Sequence, residues 1–177
     1  NIKVSATLDN FEYNNASEGG AIYVNTNSNI DLKNAVLFFT NNALKGGAIC
    51  INGSDDSIIH DLTFNDNSAN KVGGTIYWNA SRNATITDIT IEKSTAHDEG
   101  GAIYLIDMEA DLDNITLNDV TATYASGGAI YANGNVTIND AKISNFKSLN
   151  DVATAILFDG GNSSLSNSTL DGNNAIV

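Results

Sequence analysis

Apolar and polar residues alternate with a period of two through most of the chain, as in Val136-x-Ile138, Ala110-x-Leu112 and Ile86-x-x-Ile89-x-Ile91. A helix would place its apolar residues about 3.6 apart instead. These segments are also rich in Thr, Ile, Val and Asn, which favour strands and turns, so the pattern predicts short strands joined by tight bends. The strands recur. Gly19 to Asn25 reads GGAIYVN, and near-copies stand at 46–52 (GGAICIN), 73–79 (GGTIYWN), 100–104 (GGAIY) and 127–133 (GGAIYAN), so the first glycine returns every 27 residues. Ala153-Thr154-Ala155-Ile156 is a worn sixth copy, 26 residues after Gly127.

Two further sets of positions run in phase with the glycines. One is an Asn or Asp before a small or apolar residue: Asn34-Ala35, Asp61-Leu62, Asp88-Ile89, Asn114-Ile115, Asp140-Ala141 and Asn167-Ser168. The other is F-x-x-N-x-A, clear at Phe11-Asn14-Ala16, Phe38-Asn41-Ala43 and Phe64-Asn67-Ala69 and decayed further on. Repeats of this length mean solenoids, propellers or arrays. A propeller blade needs about 40 residues for its four strands, and the helical repeats lack the pattern. One coil of a parallel β-helix fits, giving an all-β solenoid of about six coils of 26–27 residues in one segment spanning 1–177.

In such a coil each strand pairs with its counterpart above and below, at a spacing of about 4.8 Å, so equivalent residues form columns. Ile22, Ile49, Ile76, Ile103, Ile130 and Ile156, with Val24, Ile51, Trp78, Leu105, Ala132 and Phe158 two residues on, are expected to face inward. The opposite parity carries Ala21, Ala48, Thr75, Ala102, Ala129 and Ala155, then Tyr23, Cys50, Tyr77, Tyr104, Tyr131 and Leu157, which are expected to face out. The glycine pair is read as a corner needing positive φ or close backbone approach, and its loss predicts a distorted corner near Ala153. The Asn/Asp column is either a ladder of side-chain amides bonded to the corner's backbone or a set of exposed turn residues.

Composition fits this architecture. The chain has no proline, which suits laddered strands in which each proline would delete a donor, and its one cysteine, Cys50, rules out an intramolecular disulfide framework. A net charge of −13 argues against nucleic acid and anionic membrane surfaces as partners. No stretch approaches the ~20 apolar residues of a membrane span, so no membrane insertion of this segment is expected. The chain starts at Asn1 and both ends fall mid-coil, so it reads as a segment excised from a longer repetitive protein. The two uncapped half-coils, Ile2 to Ala16 and Leu165 to Ala175, suggest end-to-end self-association.

The pairing of Gly19-Gly20-Ala21-Ile22 with Phe38-Phe39-Thr40-Asn41 resembles the repeats of chlamydial polymorphic outer-membrane proteins, and resembles still more the Asn-rich adhesin-like surface proteins of methanogenic archaea. The resemblance implies a right-handed β-helix and a secreted, extracellular, cell-surface molecule that attaches to other cells or to surface glycans. The family's F-x-x-N is broken at Leu117-Val120 and Ile143-Phe146.

An adhesin segment is therefore the expected function, with a purely structural stalk or fibre protomer as the alternative. A polysaccharide lyase or hydrolase is less favoured. Those enzymes need an Arg or Lys base or paired Asp residues on one face, often with Ca²⁺, and this chain has one Arg, Arg82, and seven scattered Lys. Asp107, Glu109, Asp111 and Asp113 share one strand face and are read as a solvated surface rather than a Ca²⁺ site. His60 and His97 fall at non-equivalent positions, Asp55-Asp56 is turn chemistry, and no cofactor, metal site or catalytic residue is expected. The candidate ligand-binding residues are Tyr77, Tyr104 and Tyr131, an outward ladder suited to sugar rings. Asn52, Asn79, Asn83, Asn135 and Asn162 are glycosylation candidates, because each opens an N-x-[ST] sequence in the loop after a Gly-Gly strand. Those loops (VNTNSN, INGSDDS, WNASRN, LIDME, ANGN, FDGGN) vary while the columns stay fixed, and variable loops on a fixed scaffold are where recognition diversifies.

Overall fold

A computed structural model of the chain describes residues 10–26, 28–33, 37–124, 127–148 and 154–172. Within these residues every strand pairing is parallel and joins equivalent positions of successive coils, as in Ile49 to Ile76, Ile76 to Ile103, Ile103 to Ile130 and Ile130 to Ile156. The protein is a parallel β-solenoid of about six turns. One large sheet holds the strands after the Gly-Gly corners and the longer ones that follow, and a second sheet stacks Asn42–Lys45, Ser68–Val72, Thr95–Ala96, Thr121–Ala122 and Lys147–Ser148. Ile2 to Asp9 of the first half-coil, Asn34-Ala35, Ala153 and Asn173 to Ala175 lie outside the described residues.

Each coil bends where residues adopt positive φ; some of these lie in the turns after the Gly-Gly strands, and three columns of them run from coil to coil. The Asn/Asp column is one: Asp61, Asp88, Asn114, Asp140 and Asn167 have φ between 49° and 54°. Asn and Asp tolerate this conformation better than other side chains. All five are exposed, so this column is turn chemistry and not a buried ladder, although Asn114 Nδ2 donates to Asp88 Oδ1 at 2.6 Å. The second column is the third residue of F-x-x-N: Tyr13, Thr40, Asp66, Lys93, Asp119 and Asn145. The third is the leading glycine of each pair, Gly19, Gly46, Gly73, Gly100 and Gly127.

The buried amide ladder belongs to F-x-x-N. Asn41 and Asn67 are 0% and 1% exposed. Asn67 Oδ1 accepts from Asn41 N (2.9 Å) and Asn41 Nδ2 (3.0 Å), while Asn67 Nδ2 donates to Phe38 O at 3.0 Å. Asn41 repeats the same set toward Asn14 and Phe11 O. The bend next door leaves backbone groups without ladder partners, and a stacked amide offers both a donor and an acceptor to meet them. Beneath this ladder Phe11, Phe38 and Phe64 stack with centroids 4.9 and 4.8 Å apart. Past Asn67 the column changes chemistry: Ser94 is buried and its hydroxyl pairs with Thr75 Oγ1 at 2.7 Å, and Val120 and Phe146 fill the following coils with apolar atoms.

The glycine pairs divide their work. The first is left-handed, whereas the second is needed for close approach: a Cβ on Gly47 would run into the carbonyl oxygens of Gly74 and Ser68, and the same collision recurs at Gly20, Gly74 and Gly101. At Gly128 the facing coil carries Thr154 in place of glycine and the nearest oxygens stand 3.1 Å from that Cβ position. The bond Gly128 N to Thr154 O is kept, so the corner is preserved at its described residues.

The Ile column and its partners two residues on are core, with Ile49, Ile76, Ile103, Ile130, Ile51, Trp78, Leu105 and Ala132 at 0% exposure. The alanines correct the sequence reading. Ala48, Ala102 and Ala129 are fully buried within the same hydrophobic cluster as the isoleucines, not on the outer face. Ala48 N and Ile49 N both donate to Thr75 O at 3.0 Å, and Ala102 N and Ile103 N share Ala129 O in the same way. Two successive donors on one acceptor are the mark of a bulge, which breaks the in-out alternation. Alternation resumes after the isoleucine, and Cys50, Tyr77, Tyr104 and Tyr131 lie outside the core cluster.

Candidate functional site

The three tyrosines are brought together as the sequence pattern anticipates. Tyr77 and Tyr104 stack at 5.6 Å and 6°, and Tyr104 and Tyr131 at 4.4 Å and 8°. One coil's rise sets both distances, so the rings lie flat against one another along the axis. Lys45 Nζ sits 5.1 Å above the Tyr77 ring and pairs with Glu18 at 3.6 Å, and Tyr131 Oη donates to Asp159 Oδ2 at 2.5 Å. Tyr77 and Tyr131 are only 7% and 6% exposed, so neighbouring rings take up the faces that a sugar would stack on. Hydroxyls and ring edges are what this ladder presents. Burial, with Glu99 adding to it, pushes the Tyr104 phenol up to about 12. Burial also raises Tyr77 and Tyr131, and it holds the Glu99 carboxyl above its usual range with help from Asp159 and Asp98. Cys50, fully enclosed beside Tyr77, is pushed up to about 12 by burial.

The five candidate sequons separate into two groups. Ser54 and Ser81, the hydroxyl residues of the Asn52 and Asn79 sequons, are buried and engaged: Ser81 Oγ accepts from Trp78 Nε1 at 2.7 Å and from Ser54 N at 3.0 Å, and Ser54 Oγ meets Ser57 Oγ at 2.9 Å. Those serines satisfy a buried indole and a buried bend, which accounts for their presence. Asn83, Asn135 and Asn162 are exposed, with Thr85, Thr137 and Ser164 on the same outer face of their strands.

These three asparagines converge on one depression. Its volume is about 190 Å³ and it is lined by Asn83, Glu109, Asp111, Asn135, Thr137 and Asn162, with Ala84 and Ala110 at its base. Its origin is turn length. Ala84 stands eight positions after Ile76, Ala110 seven after Ile103, and Val136 six after Ile130. Shortening lets Ile103–Asn118 and Ile130–Asn139 go on pairing through the turn, with a register shift between Leu105 and Met108, whereas Ile76–Asn79 and Ile156–Phe158 end in projecting turns. The depression is the saddle between those turns. Gly134, at φ 122°, allows the shorter coil to pass against Met108, where a Cβ would meet the Met108 backbone. The saddle's walls are braced: Asn83 Nδ2 donates to Asp56 Oδ1 at 2.7 Å, and Asn162 N donates to Asn135 Oδ1 at 2.9 Å. The alternation of Asp107 to Asp113 is as read from the sequence, with the four acids exposed and Met108, Ala110 and Leu112 buried.

His60 contacts Asp31 and Asp61, and His97 is an exposed residue beside Asp98 and Tyr124. Among the described residues no group of three or more His, Cys, Asp or Glu is placed to hold a metal ion, and no helix is long and apolar enough to cross a membrane.

Residues 61–77 match the model of the Chlamydia polymorphic membrane protein repeat. The match runs from left-handed Asp61 through the Phe64-to-Asn67 ladder and the Gly73-Gly74 corner to Tyr77, and the β-solenoid fits repeat proteins of that type. That repeat belongs to proteins associated with the outer membrane or the cell surface. No curated protein and no solved structure matches the chain.

Proposed function

We propose that the chain is a segment of a cell-surface adhesin, displayed outside the cell, that attaches to other cells or to glycans. The observation that carries this reading is the separation of a fixed interior from a variable relief: the Ile column repeats coil after coil, while the turns after the Gly-Gly strands differ in length and open a polar saddle. The repeat matched at 61–77, from a family of surface-associated proteins, supports the same reading. On this account the segment binds without catalysis, takes no cofactor and has no affinity for nucleic acid. Binding of the purified protein to a glycan array and to whole cells tests it, with dose-dependent retention on either expected. Loss of retention on both would leave the stalk.

A stalk is favoured by one observation of its own, the asparagine ladder from Asn14 to Asn67 and the tyrosine ladder from Tyr77 to Tyr131, which tie successive coils through side chains as well as backbone. Incubation with polygalacturonate is expected to release no unsaturated uronate with or without Ca²⁺, and release would restore an enzymatic role.

A further inference from the structure

We infer that the saddle between the turns at 80–83 and 159–162 is a binding site for one neutral hexopyranose unit of a glycan; this rests on the adhesin reading and names the place where it acts. Four successive coils contribute to the site, so its shape is a property of the folded solenoid. A volume of about 190 Å³ suits a single pyranose ring. The groups turned toward it are two carboxylates, Glu109 and Asp111, the Thr137 hydroxyl and the Asn135 amide, whose Oδ1 is held by Asn162 N and whose Nδ2 makes no hydrogen bond among the described residues. No hydrogen bond or ion pair among the described residues engages the Glu109 or Asp111 carboxylate.

That donor and acceptor set matches a polyol. Carboxylate oxygens accept from hydroxyl pairs on adjacent ring carbons, Asn135 Nδ2 donates to a ring or hydroxyl oxygen, and Thr137 can do either. The flanking walls are polar, and no aromatic face lines the saddle, so a sugar is recognised here by its hydroxyl edge. Charge narrows the class further. No Lys or Arg lines the site and the chain carries −13, so uronates, sialylated chains and phosphorylated sugars are repelled. The floor is held in place as well: Glu109, Asp111, Asn135 and Thr137 stand on strands paired in register from Met108–Gly134 to Asp113–Asn139, over buried Ala110, Val136, Leu112 and Ile138, which lowers the cost of ordering on binding.

The test uses the full chain produced in a host without N-glycosylation, so that Asn83, Asn135 and Asn162 stay free. Manno-, gluco- and galacto-oligosaccharides are titrated into ¹⁵N-labelled protein, with oligogalacturonate as the anionic comparison. At least one neutral series is expected to shift amide resonances at 83, 109–111, 135–137 and 162. Asp111→Ala and Thr137→Ala, both at exposed positions, should each weaken binding at least tenfold, while Asp66→Ala, at a distant corner, should not. Neutral sugars that shift resonances elsewhere and ignore Asp111→Ala would overturn this site and leave glycan attachment standing. A preference for oligogalacturonate would also overturn it. Binding to cells with no response to any of the sugars would reject the inference alone, and absence of both cell and sugar binding would reject the adhesin reading with it.

Discussion

Replacing Asn67 by alanine tests whether the buried amide ladder holds the F-x-x-N corner together. Asn67 is 1% exposed, and its partners Asn41 and Phe38 are fully buried. The substitution removes two bonds to Oδ1, at 2.9 and 3.0 Å, and two from Nδ2, to Phe38 O at 3.0 Å and to Asn65 O at 3.3 Å. Asn41 Nδ2 keeps Phe11 O as a partner at 2.8 Å. Asn41 N–H and Phe38 C=O lose these partners out of reach of bulk water, and a stranded group of this kind costs about 1–3 kcal/mol. The expected loss is therefore about 2–6 kcal/mol, read from urea unfolding followed by circular dichroism. Asn70→Ala, at an exposed position of the same coil, should stay within about 0.5 kcal/mol of the parent. Asn41→Ala combined with Asn67→Ala should cost less than the two singles added, since both remove the 3.0 Å bond between them. A loss below about 1 kcal/mol for Asn67→Ala, or strict additivity of the pair, would show that water replaces the ladder and that the corner is held by its left-handed residue alone.

Ile103, at 0% exposure and paired in register with Ile76 and Ile130, should lose about 2–5 kcal/mol on truncation to alanine. Tyr104→Ala should cost less in the same urea titration because its ring lies outside the core cluster, and the reverse order would refute the assignment of faces. Gly47→Ala should abolish cooperative unfolding near the parent's midpoint, whereas Gly128→Ala, whose Cβ would find its nearest oxygens at 3.1 Å, should be folded and only mildly destabilised; thermal melts of the two compare them directly. High pH should unfold the protein. The Tyr104 phenol is raised from 10.0 to about 12, so its neutral form favours folding in full below about pH 10 and that contribution is lost as pH rises through about 12. The part of the tyrosinate absorbance that Tyr104→Phe removes should appear together with the loss of circular dichroism in that window, and its appearance near pH 10 with the fold intact would contradict it.

The solenoid was legible because its signal is repeated: glycines 27 residues apart and strands of period two are consequences of stacking that survive in any one coil. Alanine placement was not, because alternation along a strand assumes an unbroken ladder, and the shared acceptor at Thr75 or Ala129 breaks it one residue before the isoleucine. The two asparagine columns look alike in sequence. What separates them is backbone: Asp61 and its equivalents occupy the left-handed position themselves, whereas Asn41 and Asn67 follow it and turn their amides inward. Tyr77, Tyr104 and Tyr131 were placed together correctly by period alone, yet the spacing of coils makes each ring the cover of the next, which no count of residues displays. The saddle had a signal in the successive shortening from WNASRN through LIDME to ANGN. Its depth depends on which coils keep projecting turns on either side, and that is a relation among four coils rather than a motif in one.

The demand for the second glycine of each pair comes from the neighbouring coil, whose carbonyl occupies the place of a side chain, and not from the coil that contains it. Tolerance to substitution is therefore directional. Thr154, where the glycine has gone, faces a relaxed Gly128, so one lost glycine loosens the requirement on the coil before it. In an evolving array of such coils, erosion of a corner opens the way to erosion of its predecessor, and drift should travel along the rod in one direction only, leaving runs of intact Gly-Gly coils that end in a worn one.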